Sequence, residues 1–218
     1  MPAESASWRS RRGHWLLFGS CILFLGFCMM SLKEKLQKEG LKELQKRFGI
    51  ANVWAVPRIW GVVVNAGLGR MVVQSGKPED VIARISQELA VITGQKPVPT
   101  KAKKAIAAFK TRQGMTLGLK VTLHGQRMYD FLDRLINAAL PRTRDFRGLS
   151  ESCVDGEGNL NVGIKDHTVF PEASADAAHT FGLELTAVVK GSDRERSLEF
   201  FRLMGFPFKE NSKVKIQK

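Results

Sequence analysis

The sequence predicts an α+β fold: an antiparallel or mixed β-sheet with helices packed on one face and a free polar face on the other. Two segments, residues 117–124 and 183–189, alternate apolar and polar side chains, as strands with one buried face do. Two others, residues 78–93 and 128–139, place apolar residues at helical spacing. Since strands and helices do not alternate strictly, an α+β layer is favoured over a parallel sheet.

The sequence before residue 78 predicts a helix that is followed by a strand. Ser31 and Glu34 have the spacing of a capping box, in which two side chains bind free backbone N–H groups at a helix start. The apolar stripe of this helix consists of Leu36, Leu41, Leu44 and Phe48. Pro57 then precedes a β-branched run over residues 59–65 that ends in a glycine turn, which indicates a strand.

The middle of the chain predicts a helix and a basic hairpin. The helix over residues 78–93 starts with an acidic turn, which suits the positive end of the helix dipole. Residues 94–114 contain two prolines and flanking glycines, so a short strand and an extended basic loop with a brief helical turn are expected. The alternating strand over residues 117–124 follows.

The last part of the chain predicts two helices around short strands. The helix over residues 128–139 is expected to end at Pro141, because proline disfavours a helical residue before it. Residues 141–148 and 155–163 indicate loops around short strands, and residues 159–172 indicate another strand that leads into Pro171. Ser192 to Glu195 form a second capping box, and the helix that they open is expected to end at residues 205–207.

The first residues differ from the rest. Residues 15–32 carry no charge and follow three arginines. At about 1.5 Å per residue the run would be about 27 Å long, just short of a bilayer core of roughly 30 Å. An over-extended translation start before Met29 or Met30, an organelle-targeting or other processed leader, and a membrane anchor all stay open. We expect a doubtful leader over residues 1–29.

The body is expected to be one domain over residues 30–208, in two sequence halves of about 30–110 and 111–208, followed by a basic tail over residues 209–218. Of three cysteines only Cys153 lies in this body, so a disulfide framework is excluded and a reducing compartment is implied. The histidines and cysteines lack zinc-ligand spacing, and no cofactor or metal is expected.

The net charge points to an anionic partner. Lys and Arg number 34 against 21 Asp and Glu, which gives a net charge of +13 and a pI near 10.0. Nucleic acid and anionic membrane are the candidate partners. No carboxylate lies between Glu88 and Asp130, whereas that interval contains Lys96, Lys101, Lys103, Lys104, Lys110, Arg112, Lys120 and Arg127. A solvated surface mixes its signs, so this interval favours phosphate binding.

Further candidates lie around this basic loop. Gly114 and Gly118 would let the loop tip bring backbone N–H groups to phosphates, or would form a plain hairpin turn. The polar strand face with Lys120, Thr122 and His124 could meet a ligand or merely face solvent. A second basic group consists of Arg142, Arg144 and Arg147, for which an ion pair with Asp145 is an equally good account. Phe146 and Cys153 are expected to pack in the core.

An enzyme is not expected. The segment "NAGLGR" lacks the third glycine and the acidic residue of a dinucleotide-binding unit. The sequence also has no G-x-S-x-G motif and no P-loop lysine motif. A metal-dependent nuclease would need clustered carboxylates, which the basic region lacks.

Several segments resemble a known family. "ITGQKPVPTKAKKAIAAFKTRQGM", "KVTLHGQRMYDFLDRLINAALPRTRDFRGL", "DGEGN" and "GIKDHTVFPE" are similar in order and spacing to the bacterial-type large-subunit ribosomal protein number five, from about Met30 to Phe208. The resemblance implies an α+β sandwich whose sheet binds 5S rRNA in the central protuberance. It also implies a basic loop that reaches the elbow of the peptidyl-site tRNA.

The resemblance also assigns residues and partners. For rRNA it implies Asn65, Gln95 and Thr122, beside which Lys120 and His124 lie on the polar face. For tRNA it implies the loop from Lys101 to Phe109, and we extend the candidate set to Lys101, Lys103, Lys104, Lys110 and Arg112. For small-subunit protein number thirteen it implies residues 142–148, with Arg142, Arg144 and Arg147. Large-subunit rRNA and neighbouring central-protuberance proteins are further expected partners.

The sequence departs from the family pattern in three places. Glu157 replaces the usual arginine after Asp-Gly, "NAGLGR" replaces Asn-Met-Gly-Val-Gly, and the tail extends beyond the usual end. We therefore expect a non-catalytic rRNA-binding protein of cytoplasmic ribosomes, or of organelle ribosomes if the leader is a targeting segment. The alternative is a membrane-tethered basic protein that binds anionic lipid or RNA through the same patch.

Overall fold

The computed structural model describes residues 32–35, 41–49, 52–75, 78–173, 180–191 and 193–209. The chain divides into two units, residues 1–30 and 31–218, and the described residues all belong to the second. The expected leader and the capping residues Ser31 and Ser192 lie outside the described residues, as does the tail beyond Lys209. Within the described ranges, no helix has both the length and the apolar character that a bilayer span requires.

The described helices and strands do not alternate strictly along the chain. The helices are α1 Leu32–Lys35, α2 Leu41–Phe48, α3 Gly69–Gln74, α4 Pro78–Thr93, α5 Gly125–Arg134, α6 Leu140–Arg142 and α7 Arg194–Leu203, and a π-helical segment Leu135–Ala139 joins α5 to α6. The strands are β1 Arg58–Gly67, β2 Val98–Lys101, β3 Thr116–Leu123, β4 Leu160–Ile164 and β5 Leu183–Lys190. Short 3-10 turns occupy Val53–Ala55, Ala107–Phe109, Glu151–Cys153 and His167–Val169.

The five strands form one sheet in the order β2-β3-β1-β5-β4. Every neighbouring pair is antiparallel. The predicted α+β fold is therefore confirmed, and the sheet is antiparallel rather than mixed. The predicted strands over residues 59–65, 117–124 and 183–189 correspond to β1, β3 and β5, and α4 has the predicted bounds of 78 and 93.

One hydrophobic core lies against one face of this sheet. Every second residue of the inner strands is buried, for example Val62, Val64 and Ala66 in β1. The helices α4 and α5 contribute residues of their predicted stripes: Val81, Ile85, Leu89 and Ile92 from α4, and Met128, Phe131 and Leu132 from α5. The helix α7 adds Phe200 and Phe201. Burying each large apolar side chain contributes about 1.5–3 kcal/mol, so this core fixes which sheet face turns inward.

Two local predictions need correction. The glycine turn expected after residue 65 is instead the end of β1 followed directly by α3, because Leu68 and Val72 are buried in the core and the Leu68 N–H donates to the Leu117 carbonyl at 2.9 Å. This tertiary burial outweighs the weak helix propensity of the segment. The helix expected to end at Pro141 continues to Arg142, since Pro141 lies in the first turn of α6, where a missing N–H is tolerated.

The loop after β4 contains a buried histidine. His167 has no exposed side-chain surface, and its ring stacks on Phe181 with the centroids 4.0 Å apart. The Phe181 N–H donates to its Nδ1 at 3.4 Å, and its Nε2 faces the Glu88 Oε2 at 3.4 Å. Burial lowers the pKa of His167, while the Glu88 carboxylate and Asp166 oppose that shift. The imidazole is therefore neutral in the folded protein at neutral pH.

We predict that His167 makes the fold less stable in mild acid. The unfolded chain binds the proton below a pKa of about 6.5, whereas the folded chain resists it, so stability rises with pH across this window and is lost as the pH falls. One proton gives a slope of at most about 1.4 kcal/mol per pH unit. Urea unfolding at pH 7.5 and 5.5 measures the effect. In His167→Gln the pH dependence should be smaller; an identical dependence would contradict the prediction.

Candidate nucleic-acid interface

The second face of the sheet carries the predicted polar residues in cross-strand rows. In one row Asn65 lies opposite Lys120 on β3 and opposite Glu184 on β5. In the next row Val63 lies opposite Thr122 and Thr186. We call this surface the open face, because its side chains are exposed or half-buried whereas their neighbours along each strand are buried.

The structure brings four of the five predicted rRNA residues together. Asn65 and Lys120 are direct partners, and Thr122 follows on the same side of β3. Gln95 lies at the end of α4, and its Nε2 donates to the Thr122 carbonyl oxygen at 3.3 Å. His124 lies apart from them, beyond the end of β3, where its Nδ1–H donates to the Trp60 carbonyl oxygen at 3.0 Å.

An acidic residue also belongs to this patch. Glu184 is exposed beside Asn65, so the row from Lys120 across Asn65 to Glu184 contains one cation, one amide and one carboxylate. A carboxylate repels phosphate, and recognition at this row therefore depends on hydrogen bonds more than on net charge. The alternation around Leu183 and Leu185 places Glu184 on the polar face, which is the sequence signal for it.

The two predicted loop glycines have structural roles. Gly118 lies within β3 rather than at a loop tip, and a Cβ there would come 2.8 Å from the Ala66 carbonyl oxygen. Only glycine allows β1 and β3 to approach this closely. Gly114 has φ of +83° and its N–H donates to the Ala102 carbonyl oxygen at 3.0 Å. This N–H is used within the hairpin and is not displayed to phosphate, so the hairpin-turn alternative is confirmed.

The basic loop is an ordered extension of the β2–β3 hairpin. At its base the Ala102 N–H donates to the Met115 carbonyl oxygen at 2.8 Å, and nearer the tip the backbones of Ile106 and Thr111 exchange hydrogen bonds at 3.2 Å. The 3-10 turn Ala107–Phe109 forms the tip, and Lys110 closes it with φ of 52°. We call residues 101–114 the basic finger.

The cations of the basic finger form no ion pair with a described carboxylate. Its basic residues are all exposed: Lys101, Lys103, Lys104, Lys110 and Arg112. Within the part of the chain that the structure describes, the ion pairs are Arg47–Glu43, Arg134–Glu172 and Arg202–Glu151, with the neutral His167 beside Glu88. None of them involves the finger. Among the described residues, the finger is therefore a cluster of unpaired positive charge, as the sequence predicts.

The finger also exposes apolar side chains, and their exposure was not predicted from the sequence. Ile106 is 49% exposed and Phe109 is 70% exposed. Together with Gly69 and Val73 of α3 and with Leu117, they line a groove of about 670 Å³ between α3 and the finger. Both residues lie near the tip of the finger, where Ile106 pairs with Thr111 in an antiparallel β-bridge and Phe109 ends the 3-10 turn.

The second basic group lies on a loop that the C-terminal segment anchors. Arg142, Arg144 and Arg147 are exposed, and among the described residues no ion pair joins them to Asp145, so that alternative is not supported. The Leu149 N–H donates to the Pro207 carbonyl oxygen at 2.7 Å. Phe146 and Cys153 are partly buried against the core, as predicted.

Among the residues described above, no three His, Cys, Asp or Glu side chains come together in a group that could hold a metal ion.

Comparison with known proteins identifies the family. Residues 52–112 match the family model described as Ribosomal protein L5, and residues 116–208 match the model of the C-terminus of the same ribosomal family. The chain is 46% identical to the large ribosomal subunit protein uL5 of Desulforamulus reducens over 181 residues, which is 83% of this chain and 98% of that protein. The chain belongs to the uL5 family. The uL5 proteins of Halothermothrix orenii and Thermus thermophilus are 46% and 44% identical, over 84% and 83% of this chain and 100% and 98% of their own lengths.

Membership of the uL5 family fixes the general function. The protein is a structural, non-enzymatic constituent of the large ribosomal subunit and associates with rRNA. The expectations of a ribosomal protein and of no catalysis are thereby confirmed. Association with rRNA accounts for the net charge of +13.

Proposed function

We propose that this uL5 protein attaches 5S rRNA to the central protuberance of the large subunit through its open face. In the same proposal the basic finger contacts the peptidyl-site tRNA, and residues 142–148 contact small-subunit protein number thirteen and so bridge the two subunits. The observation that carries the proposal is an uncovered polar sheet face beside a finger of cations that no described carboxylate neutralises.

The open face supports the 5S rRNA contact. Asn65 and Thr122 present short polar side chains on fixed backbone, and the hydrogen bond from Gln95 to the Thr122 carbonyl oxygen holds a third side chain beside them. Such groups suit the base edges and sugar hydroxyls of a folded RNA loop, which proteins recognise by shape and hydrogen bonds. Lys120 adds one phosphate contact, which Glu184 on the same row limits in strength.

The basic finger supports the tRNA contact. Every residue from Lys103 to Lys110 is exposed, so the tip is accessible to a large ligand. Lysine ammonium groups act as point charges on flexible stems, and they can follow a phosphate backbone without a fixed geometry. The hydrogen-bonded hairpin meanwhile fixes where the stems begin.

The loop at residues 142–148 supports a contact with protein. Its three arginines are exposed on a backbone that the bonds between Leu149 and the C-terminal segment hold in place. Arginine is enriched at protein interfaces because its planar guanidinium makes several hydrogen bonds at once. Other proteins of the central protuberance and large-subunit rRNA are the remaining proposed partners, in cytoplasmic ribosomes.

The membrane-tethered alternative depends on residues 15–32, of which the structure describes Leu32 alone. The family membership favours the ribosomal interpretation, and no described residue adds support for the alternative.

The 5S rRNA contact predicts a salt-dependent and selective affinity. If about six phosphates are neutralised, log K should fall with log salt at a slope of roughly −4 to −5. Filter binding of the protein to 5S rRNA from 50 to 300 mM KCl, with an unrelated RNA hairpin of the same length as competitor, measures both properties. Equal affinity for the two RNAs, or a flat salt response, would refute the proposal.

Single substitutions should separate the open face from the finger. Thr122→Ala should weaken 5S rRNA binding by about 1 kcal/mol, the net contribution of one hydrogen bond, because it removes a hydroxyl from the polar row. Lys103→Ala should leave that affinity nearly unchanged, since Lys103 lies on the finger. The reverse ranking of the two variants would exclude the open face as the 5S rRNA site.

Removal of charge from the finger should affect tRNA and not 5S rRNA. In the triple variant Lys103→Ala, Lys104→Ala, Lys110→Ala, peptidyl-site tRNA should dissociate faster from reconstituted ribosomes, and the salt slope should decrease by about 0.7 to 0.9 for each phosphate that is no longer neutralised. A matched control is Arg84→Ala, Lys165→Ala, Arg196→Ala, which removes the same charge from exposed positions elsewhere. Equally fast tRNA dissociation in both triples would indicate a net-charge effect and contradict the proposal.

Charge reversal in the 142–148 loop should weaken subunit association. Arg144→Glu should raise the magnesium concentration needed to form whole ribosomes, because like or mismatched charges at an interface disfavour docking. Arg196→Glu makes the same charge change on α7 and should have no effect. Light scattering of mixed subunits measures association, and unchanged association in Arg144→Glu would argue against this contact.

A further inference from the structure

One end of the open face carries aromatic and basic side chains, of which only His124 belongs to the predicted rRNA residues. We call them the Trp60 cluster, which consists of Trp54, Arg58, Trp60, His124 and Lys190. Trp60 is 52% exposed and Trp54 is 77% exposed, which is unusual for the largest apolar side chain. Large exposed aromatic side chains on a protein surface commonly mark a binding site.

The backbone holds Trp60 in a fixed position. The β1–β5 register shifts between Ile59 and Gly61, so Trp60 is the extra residue of a β-bulge. Gly61 leaves room for the ring of His124, since a Cβ there would come 2.9 Å from the His124 Cε1. The His124 ring packs edge-on to the indole at a centroid distance of 4.9 Å, and its Nδ1–H binds the Trp60 carbonyl oxygen. Trp60 is thus presented to solvent on a rigid support.

Two cations accompany the tryptophans without a counterion. The Lys190 Nζ lies 4.4 Å from the Trp60 ring centroid, and the Arg58 guanidinium lies 5.5 Å from that of Trp54. Arg58 and Lys190 are direct partners in the β1–β5 ladder, where like charges repel. In the described part of the chain neither forms an ion pair with a carboxylate. An anion bound between them would relieve the repulsion.

The Tyr129 phenol, whose pKa Arg58 influences, does not supply this anion. Burial raises the pKa of the Tyr129 phenol, and Arg58 opposes that shift only in part. The phenol is therefore neutral at physiological pH. The cluster combines an aromatic surface with positive charge. A single nucleotide can use both, because its base stacks on an aromatic ring and its phosphate pairs with a cation.

We propose that Trp60 stacks against an unpaired base of ribosomal RNA while Lys190 and Arg58 bind the adjoining phosphates. This inference rests on the proposed function, because it extends the RNA surface of the open face. Trp60 and Asn65 lie on one strand, roughly 16 Å apart at about 3.3 Å per residue, so a single RNA segment can contact both. His124 acts as a positioning residue for the indole.

The experiment compares two probes of equal charge: a fluorescent six-nucleotide oligoadenylate and the corresponding abasic six-mer. The wild-type protein should bind the oligoadenylate about tenfold more tightly, because stacking needs a base. Trp60→Ala should abolish this preference, and Trp60→Phe should retain most of it. Lys190→Gln should reduce the salt slope for both probes by about 0.7 without removing the preference.

The controls distinguish a stacking site from general effects. Val91→Ala removes an exposed apolar side chain from α4, which no proposed RNA contact uses, and should leave the preference intact. A wild-type protein without base preference, or a Trp60→Ala variant that keeps it, would overturn the inference. Equal loss in Trp60→Phe and Trp60→Ala would also overturn it, since a phenyl ring still stacks.

The outcome is independent of the test of the proposed function. If Thr122→Ala weakens selective 5S rRNA binding but neither probe is preferred, the stacking site alone fails. If the base preference depends on Trp60 but 5S rRNA is not bound selectively, the proposed function alone fails.

Discussion

The structure depends on the burial of only one face of a five-stranded antiparallel sheet. Because side chains alternate along a strand, burying Val62, Val64 and Ala66 forces Val63 and Asn65 to the opposite face. The same rule in β3 and β5 places Thr122, Lys120 and Glu184 beside them. The polar surface is thus a geometric consequence of the core, and a register shift of one residue would bury it.

Charge is distributed unevenly over this molecule. The central row of the open face is nearly balanced, whereas the basic finger contains cations without described carboxylate partners. These two surfaces suit different kinds of RNA contact: the first favours hydrogen bonds to a defined shape, and the second favours long-range attraction to any phosphate backbone. One strand, β3, links them, since it carries Lys120 and Thr122 and also leads out of the finger.

Local sequence patterns predicted the elements better than their contacts. The alternation in β3 and the apolar stripe in α4 are properties of neighbouring residues, and both appear in the structure as predicted. The role of Gly118 depends on Ala66 in a different strand, and α3 forms because Leu68 is buried by distant segments. The Trp60 cluster depends on a β-bulge and on Lys190. Lys190 is far from Trp60 in the sequence and reaches it only through the pairing of β1 with β5. Only the family resemblance identifies Asn65 and Gln95 as rRNA-binding candidates, because no periodic pattern in the sequence distinguishes them from their neighbours.

The hydrogen bonds at the root of the basic finger have a mechanical consequence. The backbone of Ala102 forms hydrogen bonds with both Met115 and Gly114. The basic finger therefore continues the hydrogen-bonded ladder of the sheet and is not a flexible loop at its base. Because these hydrogen bonds restrict backbone rotation at the base, a force applied at the tip of the finger is transmitted to β3. A displacement of the tip of the basic finger therefore produces strain in β3, to which its base is joined.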